Sequence, residues 1–160
     1  MGKTVSLNSL VGLLNKDYKG EKIVLATGCF DLLHRAHKSF LAAAKKKGDL
    51  LVVGLETDKR VAELKGEGRP VNCWSARAAA LTKLKAVDFL FPLPENFSQP
   101  REHLKILQLI KPQVLALSSN TPHLEKKKQL IKKVDGGFFV FPFNPRYSTT
   151  RLLTKDKQSY

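Results

Sequence analysis

Residues 22–37 read KIVLATGCFDLLHRAH, and the character of the chain changes twice along them. Lys22 to Ala26 is a short apolar run without polar alternation, the pattern of a strand buried on both faces. Thr27-Gly28 interrupts it. From His37 the spacing becomes helical: Phe40, Leu41 and Ala44 share one side, and Lys45-Lys46-Lys47 before Gly48 suits a helix C-terminus. A buried strand, a glycine turn and a helix in that order predict the opening of a parallel α/β sheet.

The remainder of the chain repeats the alternation. Leu50 to Leu55 (LLVVGL) predicts a second strand and Asp58 to Leu64 a short helix. Lys65 to Asn72 (KGEGRPVN) predicts a loop, and Ser75 can N-cap a helix running through Leu84. Further strands are expected at Phe89–Phe91, Val114–Leu117 and Phe138–Phe141. They alternate with helices at Arg101–Ile110, stopped by Pro112, and at Pro122–Val134. Leu7 to Leu14 reads as a lead-in helix within residues 1–20. Ser148 opens a last short helix, and residues 155–160 read as a frayed tail. These elements predict one α/β domain over residues 1–160, a doubly wound parallel five-stranded sheet. Ligands of such sheets sit beyond the carboxyl ends of the strands, so chemistry is expected just after Ala26.

Composition narrows the ligand. The chain has 160 residues, 42% apolar and 26% charged, which is globular. Its formal charge of +14 favours an anionic partner: nucleic acid, a phosphorylated small molecule or an acidic membrane surface. No RNA-binding motif or basic strand interleaved with aromatics accompanies the charge, so nucleic acid is the weaker choice. Cys29 and Cys73 are too few for a disulfide framework or a four-cysteine zinc site. No apolar run approaches the roughly 18 residues of a membrane span, and a soluble, cytoplasmic protein is the simplest expectation. The runs Lys45–Lys47 and Lys126–Lys128 read as solvated helix faces, and Trp74 as a packing residue. Arg69 and Arg77 can be read as surface charges, and His103 and His123 have no convincing partners in the sequence.

His34 and His37 lie three apart where the loop becomes a helix, a spacing that puts both on one side. A helix N-terminus offers free N–H groups and the positive end of the dipole, which suits phosphate. Two imidazoles there can donate to oxygens whose charge grows in a transition state. Gly28 allows close backbone approach. A metal site would need a third ligand, none is nearby, and no metal site is expected. Ser148, Thr149 and Thr150 offer hydroxyls at a helix start, which serves an anion or a plain N-cap.

GCFDLLHRAH, residues 28–37, resembles the signature of the nucleotidyltransferases with an H-x-G-H motif. Within that group the chain is most similar to the adenylyltransferase domain of ADP-heptose synthesis. Further blocks carry the likeness: GDLLVVGLETD (48–58), LKGEGRPVN (64–72) with Arg77 and Ala86-Val87-Asp88, and YSTTRL (147–152). The resemblance spans about residues 3–153 and implies a Rossmann-like nucleotidyltransferase fold. It implies transfer of a nucleoside monophosphate from a nucleoside triphosphate, ATP before CTP, to a phosphorylated sugar such as heptose 1-phosphate. Mg²⁺ would accompany the triphosphate, and a homodimer is implied.

By this resemblance His34 and His37 are catalytic. Thr27, Gly28, Cys29 and Phe30 line the phosphate loop, and Lys65 reaches a phosphate. Arg77 sits near the nucleotide or acceptor, and Ser148, Thr149 and Thr150 hold the β- and γ-phosphates. The pattern departs at Ala36, where the motif has glycine, and at Glu56, where asparagine is usual. It departs again at Leu117–Thr121, in place of a KGGDY-like segment, and at Phe143, where the cytidylyl branch has arginine. Arg146 stands three positions further on as a phosphate contact. Two other readings share the residues: a cytidylyltransferase using glycerol 3-phosphate or another polyol phosphate, and a non-catalytic nucleotide- or RNA-binding relative.

Overall fold

The computed structural model describes residues 1–147. Its parallel strands are β1 (Lys3–Thr4), β2 (Ile23–Gly28), β3 (Leu50–Leu55), β4 (Phe89–Pro92), β5 (Val114–Ser118) and β6 (Gly137–Phe141). They lie in one sheet in the order β1-β4-β3-β2-β5-β6. The helices among the described residues are α1 (Leu7–Lys16), α2 (Arg35–Lys45), α3 (Asp58–Lys65), α4 (Trp74–Thr82), α5 (Pro100–Ile110) and α6 (Leu124–Lys132).

The apolar strands divide by side-chain alternation between two cores. Ile23 and Leu25 of β2 join Leu10, Leu14, Ile106, Leu107 and Ile131 under α1, α5 and α6. Val24 and Ala26 of the same strand join Phe40, Leu41, Ala44, Ala78 and Leu81 under α2 and α4. A strand that must satisfy both faces has no position for a polar residue, which is why these runs are continuous. From β2 the chain builds outward through β3 and β4, then returns to place β5 on the other side of β2. The strand order therefore reverses between β2 and β5, and the crevice beyond their carboxyl ends is the expected ligand position.

The five-stranded sheet expected from sequence has a sixth strand. Lys3 and Thr4 pair with Phe89 and Leu90 at the edge, and Val5 N–H donates to the Leu90 carbonyl at 2.9 Å. Two exposed polar residues carry no strand periodicity, and only the neighbouring backbone makes them a strand. The fourth helix starts at Trp74, not after Ser75, with Cys73 at the cap position and no side-chain cap. The second starts at Arg35, because His34 itself caps it. Histidine is not among the residues that signal an N-cap. The final helix expected from Ser148 and the tail over 155–160 lie outside the described residues.

Candidate functional site

Beyond the ends of β2 and β5 lies a cleft of about 670 Å³. Thr27, Gly28, Cys29, Phe30, His34, His37 and Lys65 all line it. The elements that bring them there are short. Gly28 ends β2, and a Cβ at Gly28 would lie 3.0 Å from the Phe30 ring. Phe30 adopts φ 44°, a left-handed conformation that costs a bulky residue energy and marks a site held by its surroundings. That turn buries its ring and sets it edge-on to His37, with centroids 5.3 Å apart.

The two histidines cap α2 reciprocally. His37 N–H donates to His34 Nδ1 at 3.4 Å, and His34 N–H donates to His37 Nδ1 at 3.5 Å. Their rings stack with centroids 3.7 Å apart and planes 16° from parallel. Because each Nδ1 accepts, the proton of each neutral ring belongs on Nε2, which makes Nε2–H the donor. Burial pushes the His37 imidazole down to about 4, helped by the His34 and Lys65 charges and opposed by a hydrogen bond with the Leu32 backbone. Burial lowers His34 as well. At neutral pH the pair is uncharged, which permits such close stacking.

Lys65 closes α3, where Gly66 (φ 95°) and Gly68 (φ 77°) take conformations that L side chains rarely adopt. The loop they begin folds back over the phosphate loop because Asp31 holds it. Asp31 is 3% exposed and accepts from Arg69 Nε at 2.7 Å, Val71 N–H at 2.8 Å and Asn72 N–H at 2.9 Å. Burial alone would raise this carboxyl. The two backbone hydrogen bonds and Arg69 outweigh it and hold the group below its ordinary value.

Arg77, expected near the nucleotide or acceptor, is instead a clamp inside the protein, 1% exposed. Its Nε donates to the Asn72 carbonyl and its Nη1 to the Cys29 carbonyl, at 3.0 and 2.7 Å. Its Nη2 donates to the Glu56 carbonyl at 3.0 Å and to Asp58 Oδ1 at 2.7 Å. One guanidinium thus joins the loops after β2 and β3 to the one before α4. It does not line the cleft, because its donors are already engaged. Cys29 offers its carbonyl to this clamp. Burial raises its thiol, although the Lys65 charge opposes this, so no thiolate is provided for nucleophilic chemistry.

The opposite wall is built by β5, α5 and α6. Ser119 N–H donates to the Phe141 carbonyl at 2.9 Å, and Ser119 Oγ accepts from Phe143 N–H at 2.7 Å. These bonds tie the strand ends together along the cleft. Glu56 just after β3, Arg60 on α3, His103 on α5 and Lys127 on α6 also line the cleft. Lys127, expected on a solvated helix face, faces the cleft. Burial lowers its ammonium, although Glu56 opposes the shift. Arg146 lies exposed in a 3₁₀ turn (Pro145–Tyr147) and does not line the cleft. Ala36 and Phe143 line it, and both also line an adjoining groove of about 500 Å³. Ser148, Thr149 and Thr150 lie outside the described residues.

Among the described residues no three His, Cys, Asp or Glu side chains converge to hold a metal. Asp31 is committed to the loop, so Glu56 is the remaining carboxylate on the cleft. Such a site suits a divalent ion that arrives on phosphate oxygens and keeps its waters, not one held in a protein cage.

Asp31, Arg69, Glu56, Arg60, His103 and Lys127 carry no site role in the sequence, where Arg69 and Lys127 read as solvated charges. Asp31 stood inside the quoted motif, and its role needed a partner about forty positions away. Glu56 was signalled by its place just after a strand, and Arg69 by the LKGEGRPVN block; Arg60, His103 and Lys127 lie within helices and gave no signal.

The cytidylyltransferase-like family model matches residues 25–155. The bifunctional protein HldE of Campylobacter fetus subsp. fetus (strain 82-40) is 40% identical over 154 residues, 93% of this chain and 31% of that protein. HldE of Geobacter metallireducens is 34% identical over 160 residues, 99% of this chain and 32% of that one. The chain thus spans about a third of the length of these relatives. Among solved structures, the lipopolysaccharide core biosynthesis protein from Thermoplasma volcanium GSS1 superposes with a TM-score of 0.63 at 28% identity. The match covers 78% of this chain and 98% of that one. Pantoate-beta-alanine ligase from Francisella tularensis superposes at 0.66 with 19% identity, covering 96% and 73%, and shows the fold alone.

Proposed function

Because this chain belongs to the cytidylyltransferase-like family of nucleotidyltransferases, we propose that it transfers AMP from ATP to a sugar 1-phosphate, a heptose 1-phosphate first among candidates. The observation that carries the reading is the stacked, uncharged His34–His37 pair at the N-terminus of α2, facing the cleft at the sheet's switch point. The choice of ATP and heptose follows from similarity to HldE over most of this chain.

The transfer needs little covalent work from the protein. An oxygen of the acceptor phosphate forms a bond to the α-phosphorus while the bond from that phosphorus to the pyrophosphate oxygen breaks, and pyrophosphate carries away the electron pair. Positioning and charge stabilisation dominate such reactions. In this reading the Nε2–H groups of His34 and His37 donate to α-phosphate oxygens as their charge grows. The free N–H groups of the first turn of α2 add to that field. Lys65 meets a phosphate from the other side. Asp31 and Arg77 touch no substrate and act by holding the loops. Family members take the nucleotide with a divalent metal; here we assign Mg²⁺ bound to the triphosphate, where it neutralises phosphate charge.

The test has two stages. A thermal-shift comparison of ATP, CTP, GTP and UTP with Mg²⁺ should show selective stabilisation by ATP, about 2.7 kcal/mol at 100 Kd. Pyrophosphate release should then require both ATP and the sugar phosphate. A selective CTP shift, with release driven by glycerol 3-phosphate, would move the assignment to a cytidylyltransferase. No shift with any nucleotide would leave a non-catalytic relative.

A further inference from the structure

Buried polar atoms in folded proteins almost always have partners, and each exception calls for a reason. Among the described residues three buried side-chain atoms lack one: Glu56 Oε2, Arg60 Nε and His103 Nε2. They come from β3's end, α3 and α5, yet all three residues line the same cleft. Glu56 is 8% exposed and His103 4%. His103 packs against Phe97, with ring centroids 4.7 Å apart, which fixes its plane. Leaving such groups unpaired destabilises the fold. A site that retains three together is built for something that pairs with them.

We propose that Glu56, with Arg60 and His103 beside it, reads the hydroxyl groups of the acceptor, making Glu56 the specificity-determining residue for a polyhydroxylated phosphate monoester. The inference rests on the nucleotidyl-transfer reading for its reaction but not for its binding chemistry. An ionised carboxylate only accepts hydrogen bonds, so its ligand must bring donors. Phosphate and pyrophosphate oxygens bring none, so the Glu56 carboxylate itself does not hold the triphosphate tail. Arg60 Nε–H only donates, and a neutral imidazole both donates and accepts. Burial lowers His103 to about 4, with the Lys127 charge adding to the effect, so the ring is neutral at pH 7. An acceptor, a donor and an amphoteric group together match hydroxyls, which both donate and accept. Burial raises the Glu56 carboxyl, while the Arg60 and Lys127 charges draw it back toward the ionised form and supply positive charge that suits a phosphate monoester.

The experiment compares wild type with Glu56→Gln, which keeps the side chain's shape while replacing one acceptor by a donor. Heptose 1-phosphate binding is measured by calorimetry without nucleotide. Its KM and that of MgATP are measured by pyrophosphate release. The proposal expects a roughly 10- to 100-fold weaker Kd and higher KM for the sugar phosphate, with the MgATP KM within twofold of wild type. The ligand-free melting temperature should hold or rise, because a desolvated charge is removed; a structural role would lower it. An unchanged sugar-phosphate Kd would overturn the proposal. So would loss of MgATP affinity instead, which would make Glu56 a base contact, or recovery of activity on raising Mg²⁺, which would make it a metal ligand. Wild type that binds the sugar phosphate in a Glu56-dependent way but releases no pyrophosphate would sink the transfer reading alone. Wild type that does not bind it would sink this inference.

Discussion

The two walls of the cleft are made of similar residues in opposite condition. On the side of the phosphate loop the key polar groups have partners: Asp31 takes three donors, Arg77 makes four bonds, and His34 and His37 cap each other. Along the rest of the lining Glu56, Arg60 and His103 each bury an atom with no partner among the described residues. The first wall is preorganised by the protein alone, as a site that stabilises developing charge must be. The second leaves hydrogen bonds unmade for a ligand to complete, which on the proposed reading is where acceptors are told apart.

Breaking the first wall should have the largest effect. Arg77→Ala leaves three carbonyls, that of Glu56 buried and those of Cys29 and Asn72 half-buried, and Asp58 without their donor, and should cost about 3 kcal/mol or more in denaturant unfolding. Arg77→Lys should recover little, because a lysine cannot present the planar fork that reaches all four acceptors. A loss below about 1 kcal/mol in both would show that the loops hold without the clamp.

The histidine pair comes next. His34→Ala or His37→Ala should lower kcat on the order of 10²-fold, the scale of one transition-state donor. Each also removes half of the reciprocal cap, so melting temperatures must be measured beside the rates. Near-full activity in both variants would refute the assigned role.

The smallest effect sharpens the comparison through pH. The folded His37 titrates near 4, below its ordinary value of 6.5. As pH falls from about 6.5 toward 4 the unfolded chain takes up a proton that the folded site refuses. Stability is therefore full above that window and declines through it. His103 contributes with the same sign over the same range. His37→Gln and His103→Gln should each flatten the melting-temperature profile between pH 6.5 and 4, and the double variant should flatten it further. Single variants that track wild type would mean the rings are solvated.

Much of this was legible before any coordinates. KIVLA is apolar at every position after Lys22 because β2 feeds two cores, and continuous burial is visible in one dimension. His34 and His37 were legible because the partners that matter to each lie within one helical turn. Arg77 was visible as a residue but not as a clamp: its four partners come from three loops and the start of α3, and in sequence it looked like a charge available to a ligand. Strand β1 was hidden for the same reason, since Lys3 and Thr4 acquire their conformation from the β4 edge.

The sequence by itself determined the alternation of strands and helices and the histidine pair that follows the first long strand, although that strand runs on through Thr27 and Gly28, where the sequence predicted a break. These depend on periodicity and on contacts a few residues long. Only the tertiary structure decided that Asp31 holds a loop about forty residues away, that Arg77 faces inward, and that Glu56, Arg60 and His103 each bring an unpartnered atom to one cleft. Burial and hydrogen-bond satisfaction are properties of neighbours in space, and for these residues the neighbours come from separate elements that only the folded sheet brings together.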